Sequence, residues 1–305
     1  MTIRSPSPRN QADCTLRPMS GINVVLPHER VRGGRVRQTI QVRPISGTEE
    51  EFLLEQGHTL STSRQATALL ARCVQTAEGS AQDEQAIRRL VIGDREVLLL
   101  ELQRLMFGDR LSCVANCPAP ACGSRMDFEI TVAALLDRQV PPPRRPLEAR
   151  VESGGHEWRS HFRLPTVADL DCTTELAARD PDAAAELLLR RCLLGLWCDG
   201  REIEPDQAPQ ALVDAMEDEI TAADPYAETL LSASCPECRA RFQIQFDPAS
   251  YLFRKLGGGR RGQLFEEVHM LALHYHWSEA DILHMSRTRR RLYLELLDDW
   301  RPRDR

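Results

Sequence analysis

Two pairs of closely spaced cysteines are the strongest chemical signal in the sequence. Cys117 and Cys122 flank the turn Pro-Ala-Pro-Ala, and Cys235 and Cys238 flank Pro-Glu. Each pair precedes a segment in which apolar and polar residues alternate, a pattern typical of a β-strand. Four thiolates from two such knuckles form the tetrahedral ligand set of a closed structural zinc site. The sequence therefore predicts a zinc ribbon split between two distant parts of the chain.

Three alternatives to structural zinc follow from the same residues. An iron–sulfur cluster also uses four cysteines, although the ribbon-like strands favour zinc. A catalytic zinc requires an open coordination position, and four cysteines leave none. The third alternative is a packed group of thiols that has lost its metal. Soft thiolate ligands in any case favour zinc over magnesium or calcium.

The other cysteines do not fit this site. Cys113 lies four residues before Cys117 in an extended segment, roughly 13 Å away at the rise of a strand. Cys73 and Cys192 lie among leucines on predicted helices, and we expect buried thiols there. Three further cysteines carry no spacing signal: Cys14, Cys172 and Cys198.

The two halves of the chain repeat in order. "LLARCV" recurs as "LLRRCL", which places Cys73 and Cys192 119 positions apart, and Cys117 and Cys235 are 118 positions apart. The apolar positions of the strands that follow also lie at equal offsets from the second cysteine of each pair. These matches predict an internal duplication, in which each copy is a helical segment leading into a cysteine knuckle and a strand.

The predicted architecture is an α+β protein with a helical C-terminal tail. Its units are a flexible arm (1–28), a first repeat with the first knuckle (29–138), a proline-rich linker (139–148), a second repeat with the second knuckle (149–247) and a helical module (248–305). The three consecutive prolines of the linker favour extended polyproline geometry. The zinc would thus clamp one copy onto the other.

Composition and motifs exclude several classes of function. No apolar run approaches the roughly 20 residues of a membrane helix. The N-terminus lacks the apolar core of a secretory signal, so we expect a cytoplasmic protein with reduced thiols. No phosphate-binding loop, Gly-x-Ser-x-Gly elbow or His-Glu-x-x-His motif is present. We therefore expect no enzyme activity and no small-molecule substrate.

A late group of histidines is the one further candidate for chemistry. These are His269, His274, His276 and His284, and with Glu266 they suggest a second metal site of a hydrolase. The apolar stripe of the same helix favours a structural interpretation, in which the histidines flank packed residues.

Local positive charge supports a different alternative, a zinc-ribbon regulator that binds nucleic acid. Arginines concentrate between Arg30 and Arg43 and between Arg287 and Arg291. A net charge of -6 and an aromatic content of 5% argue against this class.

The C-terminal tail is predicted to contain three short amphipathic helices. Ser278 and Ser286 are suited to cap the second and third of them. Such helices with exposed basic residues form either a docking module or a lid packed on the ribbon. The residues predicted to contact a partner are Trp277, Arg287, Arg289, Arg290 and Tyr293.

Four segments resemble the T-even-phage-type baseplate protein family of contractile phage tails and bacterial contractile injection systems. They are "GDREVLLLELQRLMFGDRLSCVANCPAPACGSRMDF", "FRLPTVADL", "CPECRARFQIQFD" and "LFEEVHMLALHYHWSEADILHMSRTRRRLYLELL". The resemblance covers about residues 35 to 300. It implies a non-enzymatic hub component or an assembly chaperone, with baseplate hub and spike proteins as partners. The chain would act in the cytoplasm during assembly or remain in the particle baseplate. The basic arm and the longer first knuckle depart from the family pattern.

Overall fold

The computed structural model of the protein describes residues 21–28, 39–76, 79–140, 146–257 and 262–300. These residues form a mixed fold of helices and sheets, which confirms the predicted α+β class. No helix in these ranges is both long enough and apolar enough to cross a bilayer. Most of the predicted arm, most of the basic stretch between Arg30 and Arg43, the centre of the proline-rich linker and the glycine-rich segment near residue 259 lie outside the described residues.

The first half begins with a three-stranded antiparallel sheet in the order β1-β2-β3. Its strands are β1 (Ile22–Val25), β2 (Thr39–Val42) and β3 (Val74–Thr76). The helices of this half are α1 (Gly47–Glu55), α2 (Thr62–Cys73), α3 (Glu84–Arg88) and α4 (Ile92–Phe107). A hairpin of β4 (Arg110–Asn116) and β5 (Arg125–Thr131) and the short α5 (Val132–Leu136) complete it. Because β1 pairs with β2, residues 22–25 belong to the fold and not to a flexible arm, which corrects the predicted boundary.

The second half begins with a four-stranded antiparallel sheet in the order β6-β7-β8-β9. Its strands are β6 (Leu147–Ser153), β7 (His156–Phe162), β8 (Leu193–Cys198) and β9 (Arg201–Glu202). Helices α6 (Val167–Ala177) and α7 (Pro181–Cys192) connect β7 to β8, and α8 (Gln210–Ala223) follows β9. The hairpin of β10 (Leu230–Ser234) and β11 (Arg241–Gln245) and helix α9 (Pro248–Gly257) complete it. The turn at residues 154–155 joins β6 to β7.

An arginine fixes the corner between strand and helix in the first half. Arg43 donates to both carboxylate oxygens of Glu49, at 2.7 and 3.1 Å, and to the carbonyl oxygen of Arg72 at 2.7 Å. Glu49 also accepts from the backbone N–H and the hydroxyl of Ser46, the residue that precedes α1. The buried carboxylate of Glu49 thus accepts the hydrogen bonds of Ser46 at the start of α1. Through Arg43 it also links α1 to the end of α2.

The second half has a corner with equivalent hydrogen bonds, to which Arg191 Nε adds one to Asp169 Oδ1 at 2.9 Å. Arg163 donates to both carboxylate oxygens of Asp169, at 2.6 and 3.1 Å, and to the carbonyl oxygen of Arg191 at 2.9 Å. Asp169 accepts from the backbone N–H and the hydroxyl of Thr166, which precedes α6. The pKa of Asp169 lies well below its usual range because the hydrogen bonds from Arg163 and Thr166 outweigh its burial.

Helix α4 is buried on several faces and lies between the main clusters of apolar side chains. Leu98 and Leu99 are fully buried and pack in the cluster formed by β1, β2, α2 and α9. Leu100, also buried, packs with Leu111 of β4 and with Phe246 after β11. Since α4 joins the N-terminal sheet to both hairpins, it sets the positions from which the cysteine knuckles project.

The C-terminal tail forms three helices, as predicted. They are α10 (Gln263–Tyr275), α11 (Glu279–Leu283) and α12 (Arg287–Trp300). They pack against one another and against α1, and Ser46 forms an isolated β-bridge with Ser286. The tail is therefore docked on the first half and is not a lid over the knuckles.

Candidate metal centre

The first knuckle is held by the hairpin of β4 and β5. Its strands pair in register from Arg110 with Thr131 to Asn116 with Arg125. Beyond the last pair, the N–H of Cys117 donates to the carbonyl oxygen of Ser124 at 2.8 Å. The N–H of Cys122 donates to the carbonyl oxygen of Ala119 at 2.9 Å, which closes the turn. The strands thus fix where both thiols lie.

The second knuckle is built in the same way on β10 and β11. The N–H of Cys235 donates to the carbonyl oxygen of Ala240 at 2.9 Å. The N–H of Arg239 returns to the carbonyl oxygen of Cys235, and Arg239 adopts a positive φ of 62°. This left-handed residue closes a turn with only two residues between its cysteines.

The structure brings all four predicted cysteines together. Their Sγ atoms lie within 4.8 Å of one another. The distance from Cys117 Sγ to Cys238 Sγ is 3.6 Å, and that from Cys122 Sγ to Cys235 Sγ is 3.7 Å. Both distances exceed a disulfide bond by far, so the cysteines are free thiols. The arrangement is compatible with a metal site.

The two short sulfur–sulfur distances each connect one hairpin to the other. Around them, Met126 and Phe242 supply apolar contacts together with small alanine side chains. Cys117 and Cys235 are buried, whereas Cys238 is exposed at the rim. A metal at this point would be bonded to both hairpins and largely screened from water.

The pKa values of Cys235 and Cys117 move in opposite directions because their thiols share one small space. Backbone N–H groups of Cys238 and Glu237 lower the pKa of Cys235 to about 7. The backbone at Ala119 also lowers the pKa of Cys117, but burial and hydrogen bonds to the other three thiols outweigh it and raise the value to about 12. The first thiolate therefore opposes ionisation of Cys117 and Cys122, whereas a bound cation would favour the thiolate form of both.

The other cysteines of the described residues are not part of this cluster. Cys113 is buried in the core beside the first hairpin, and its Sγ is 4.0 Å from the carbonyl oxygen of Leu111. Cys73 and Cys192 are fully buried at the ends of α2 and α7, and burial raises their pKa values to about 12 and about 11. The predictions for these three thiols are confirmed. Cys14 lies outside the described residues.

The predicted partner residues of the tail are mostly inside it. Arg290 is fully buried and Arg287 nearly so, which corrects the expectation that both are exposed. Trp277 and Tyr293 are half-buried, with ring centroids 4.8 Å apart in an edge contact. Arg289 is exposed and stands over the ring of Tyr293. Of the five, Arg289 alone presents its charge to solvent.

The late histidines do not form a site within the described residues. His274 and His284 each approach a carbonyl oxygen four residues earlier in the chain, and His269 and His276 are exposed. Neither of the two clusters of metal-ligating side chains in the described chain includes them.

The sequence interpretation missed a buried ionic group between the two halves. His28 Nδ1 lies 3.1 Å from Asp94 Oδ1, and His28 Nε2 lies 3.0 Å from the carbonyl oxygen of Ala223 and 3.7 Å from Asp224 Oδ1. All three side chains are buried. These residues are far apart in sequence, so no local spacing could have grouped them.

Comparisons with protein-family models, with curated proteins and with solved structures find no match to this chain. Fold and site together define the class: an α+β protein in which two β-hairpins bring four free cysteine thiols into one cluster.

Proposed function

We propose that the protein is a non-catalytic structural component whose two repeats are held together by one structural zinc ion. The observation that carries this proposal is the cross-pairing of the thiols. Cys117 lies closest to Cys238 and Cys122 to Cys235, so each short contact joins a thiol of one hairpin to a thiol of the other.

The sulfur spacing supports zinc as the ion. Zinc–sulfur bonds of about 2.3 Å in a tetrahedron place the sulfur atoms about 3.8 Å apart. The two short distances, 3.6 and 3.7 Å, are close to this value before any metal is added. Four thiolates fill the tetrahedron and leave no position for a substrate, which favours a structural role over a catalytic one.

An internal duplication explains why the clamp is symmetrical. The two halves share most of their order of strands and helices, with helix α3 in the first half where strand β9 lies in the second. Arg43 and Arg163 fix equivalent corners 120 positions apart. The corner residue Ser46 bridges the start of α12, while its counterpart Thr166 bridges Val91 at the start of α4. In each copy, the residue that precedes the first helix of the copy therefore pairs with the residue that precedes a long helix.

We infer from the four quoted segments that the protein serves a contractile injection system. In that role it is either a component of the baseplate hub or a chaperone that assists hub assembly, with hub or spike proteins as partners. The zinc-clamped core and the absence of catalytic motifs from the sequence are consistent with either role.

Co-expression with the hub and spike proteins of the same system tests this role. We expect a complex that survives gel filtration, and assembly of defective particles in a strain that lacks the gene. Failure to co-purify, together with intact particles from the deletion strain, would contradict it. A gel shift with nucleic acid that weakens as salt rises would instead support a nucleic-acid-binding regulator.

A further inference from the structure

A second group of metal-ligating side chains lies at one end of the β6-β7-β8-β9 sheet. His156, Cys198 and Asp199 each offer one ligand atom, and these atoms lie within 4.8 Å of one another. Imidazole nitrogen, thiolate and carboxylate oxygen are all ligands of zinc. We propose that these three residues form a second, open zinc site, independent of the four-cysteine cluster.

Two tight hairpin turns place the three ligands. Gly154 and Gly155, with φ of 62° and 79°, form the turn immediately before His156. Asp199 and Gly200, with φ of 49° and 77°, form the turn immediately after Cys198. Positive φ at both central positions is typical of two-residue hairpin turns. The ligands therefore lie in compact turns of one sheet or in the strand residues next to them, and not in long loops.

Strand pairing brings these two turns to the same end of the sheet. Trp158 pairs with Cys198 across β7 and β8, and the N–H of Asp199 donates to the carbonyl oxygen of Glu157 at 2.8 Å. His156 thus lies beside the start of the second turn. The register of the backbone, set by the whole sheet, fixes how closely the ligands approach.

The carboxylate is already oriented for the metal. Asp199 Oδ1 accepts a hydrogen bond from the N–H of Glu157 at 2.9 Å, and Oδ2 lies 2.6 Å from His156 Nδ1. A hydrogen bond to the second oxygen is the support that carboxylate ligands of metals commonly receive. An ion pair alone would explain why His156 and Asp199 lie together. It would not explain why the thiol of Cys198 lies beside them.

The thiol is the group that a metal would change most. Burial and the charge of Asp199 raise the pKa of Cys198, so at neutral pH the free thiol stays protonated. A divalent ion at the centre of the three ligands would favour the thiolate and release its proton. His156 and Asp199 are more than half exposed, so an ion can reach the site from solution.

The site differs from the four-cysteine cluster in coordination. Three protein ligands leave one position of the tetrahedron for water or for a donor atom of another molecule. We therefore expect zinc here to exchange readily with chelators, whereas zinc in the closed cluster is retained.

Zinc titration of the full-length chain tests the proposal. The purified protein is first treated with a weak chelator that removes exchangeable metal, and Zn²⁺ is then added in competition with a chromophoric chelator. We expect the wild type to take up one additional equivalent. Cys198→Ser and His156→Ala should take up none, while the matched controls Cys172→Ser and His274→Ala, both exposed, should behave as the wild type.

Cobalt spectroscopy supplies a second measurement. Co²⁺ added to the chelator-treated protein should give a thiolate charge-transfer band that Cys198→Ser abolishes. No additional equivalent in the wild type, or an equivalent that persists in Cys198→Ser, would overturn the proposal. Metal retained after the chelator step reports on the four-cysteine cluster alone. The proposals for the two sites can therefore be contradicted separately.

Discussion

Arg290 Nη2 of α12 donates to Glu50 Oε1 of α1 at 2.8 Å, although the two residues are 240 positions apart in the chain. Arg290 also donates to Glu267 Oε2 of α10 at 2.9 Å and to the carbonyl oxygen of Met285. The guanidinium is fully buried. The side chain of Arg290 thus joins α10 and α12 to α1 and fixes how the tail packs on the first half.

Replacing Arg290 should destabilise this junction strongly. In Arg290→Met, the carboxylates of Glu50 and Glu267 remain buried without a cation, which costs about 3–5 kcal/mol. Urea unfolding monitored by circular dichroism measures the change. Arg289→Met, which alters an exposed arginine, should stay within about 0.5 kcal/mol. Adding Glu50→Gln and Glu267→Gln to Arg290→Met should restore part of the loss, and no recovery would contradict the charge argument.

The two corner arginines should make similar contributions, with the smaller loss at Arg163 because Arg191 Nε also donates to Asp169 Oδ1 at 2.9 Å. Arg43→Ala and Arg163→Ala each remove a bidentate pair and a bond to a helix-end carbonyl group. Partial exposure of both arginines reduces the expected loss to about 1–2 kcal/mol each. Chemical denaturation of both single variants and of the double variant measures this, with Arg150→Ala of an exposed pair as the control. A larger loss in Arg163→Ala than in Arg43→Ala would contradict this assignment.

The cysteine site was predictable because its signal is local. Two cysteines with a short turn between them, followed by alternating apolar residues, specify a knuckle on a hairpin. Because the cysteine-containing segments occur in the same order in both halves, the sequence also indicated that these two knuckles meet. The burial of Cys73 and Cys192 followed from the leucines around them. These features depend on neighbours within a few residues, which a single sequence displays.

The features that were missed depend on distant partners. Arginines in "RTRRRLY" look alike in sequence, and only the positions of Glu50 and Glu267 make Arg290 a buried residue. The strand Ile22–Val25 follows a polar arm and is too short to show a clear alternation, so its pairing with β2 decides its structure. Cys198 likewise becomes a candidate metal ligand only because His156, 42 positions earlier, lies close to it in the fold.

His28 should make stability depend on pH. Burial lowers its pKa, but the hydrogen bond to Asp94 and the charges of Asp224 and Asp94 outweigh burial and raise the pKa above 6.5. The stability that His28 contributes is therefore fully present below about pH 6.5 and is lost as pH rises through the raised value. The difference in unfolding free energy between wild type and His28→Gln should shrink between pH 6 and pH 9. His274→Gln, at an exposed site, should show no such trend, and a difference that grows with pH would contradict the assignment.

Removal of the clamp metal should separate the two hairpins without unfolding the rest. Cys122→Ser and Cys238→Ser each delete one ligand of the proposed zinc, so tightly held zinc should fall from one equivalent to almost none. Amide exchange should then quicken in β4, β5, β10 and β11. The core of α4 should remain protected, because Leu98 and Leu99 pack away from the cluster. Cys113→Ser is the matched control at a buried cysteine outside the cluster, and loss of zinc there would contradict the ligand assignment.

Gly47 occupies the point where α1 meets the tail and leaves no room for a side chain. A Cβ atom there would lie 2.9 Å from the backbone of Leu283 and 2.9 Å from Arg290 Nη1. Gly47→Ala should therefore destabilise the protein by about 1–3 kcal/mol, since the backbone of α11 would have to shift. Gly257→Ala is the matched control, because a Cβ at Gly257 meets nothing within 4 Å. That variant should be neutral or stabilising by up to about 1 kcal/mol. Equal effects of the two substitutions in thermal and urea unfolding would show that the tail does not press on α1 at this point.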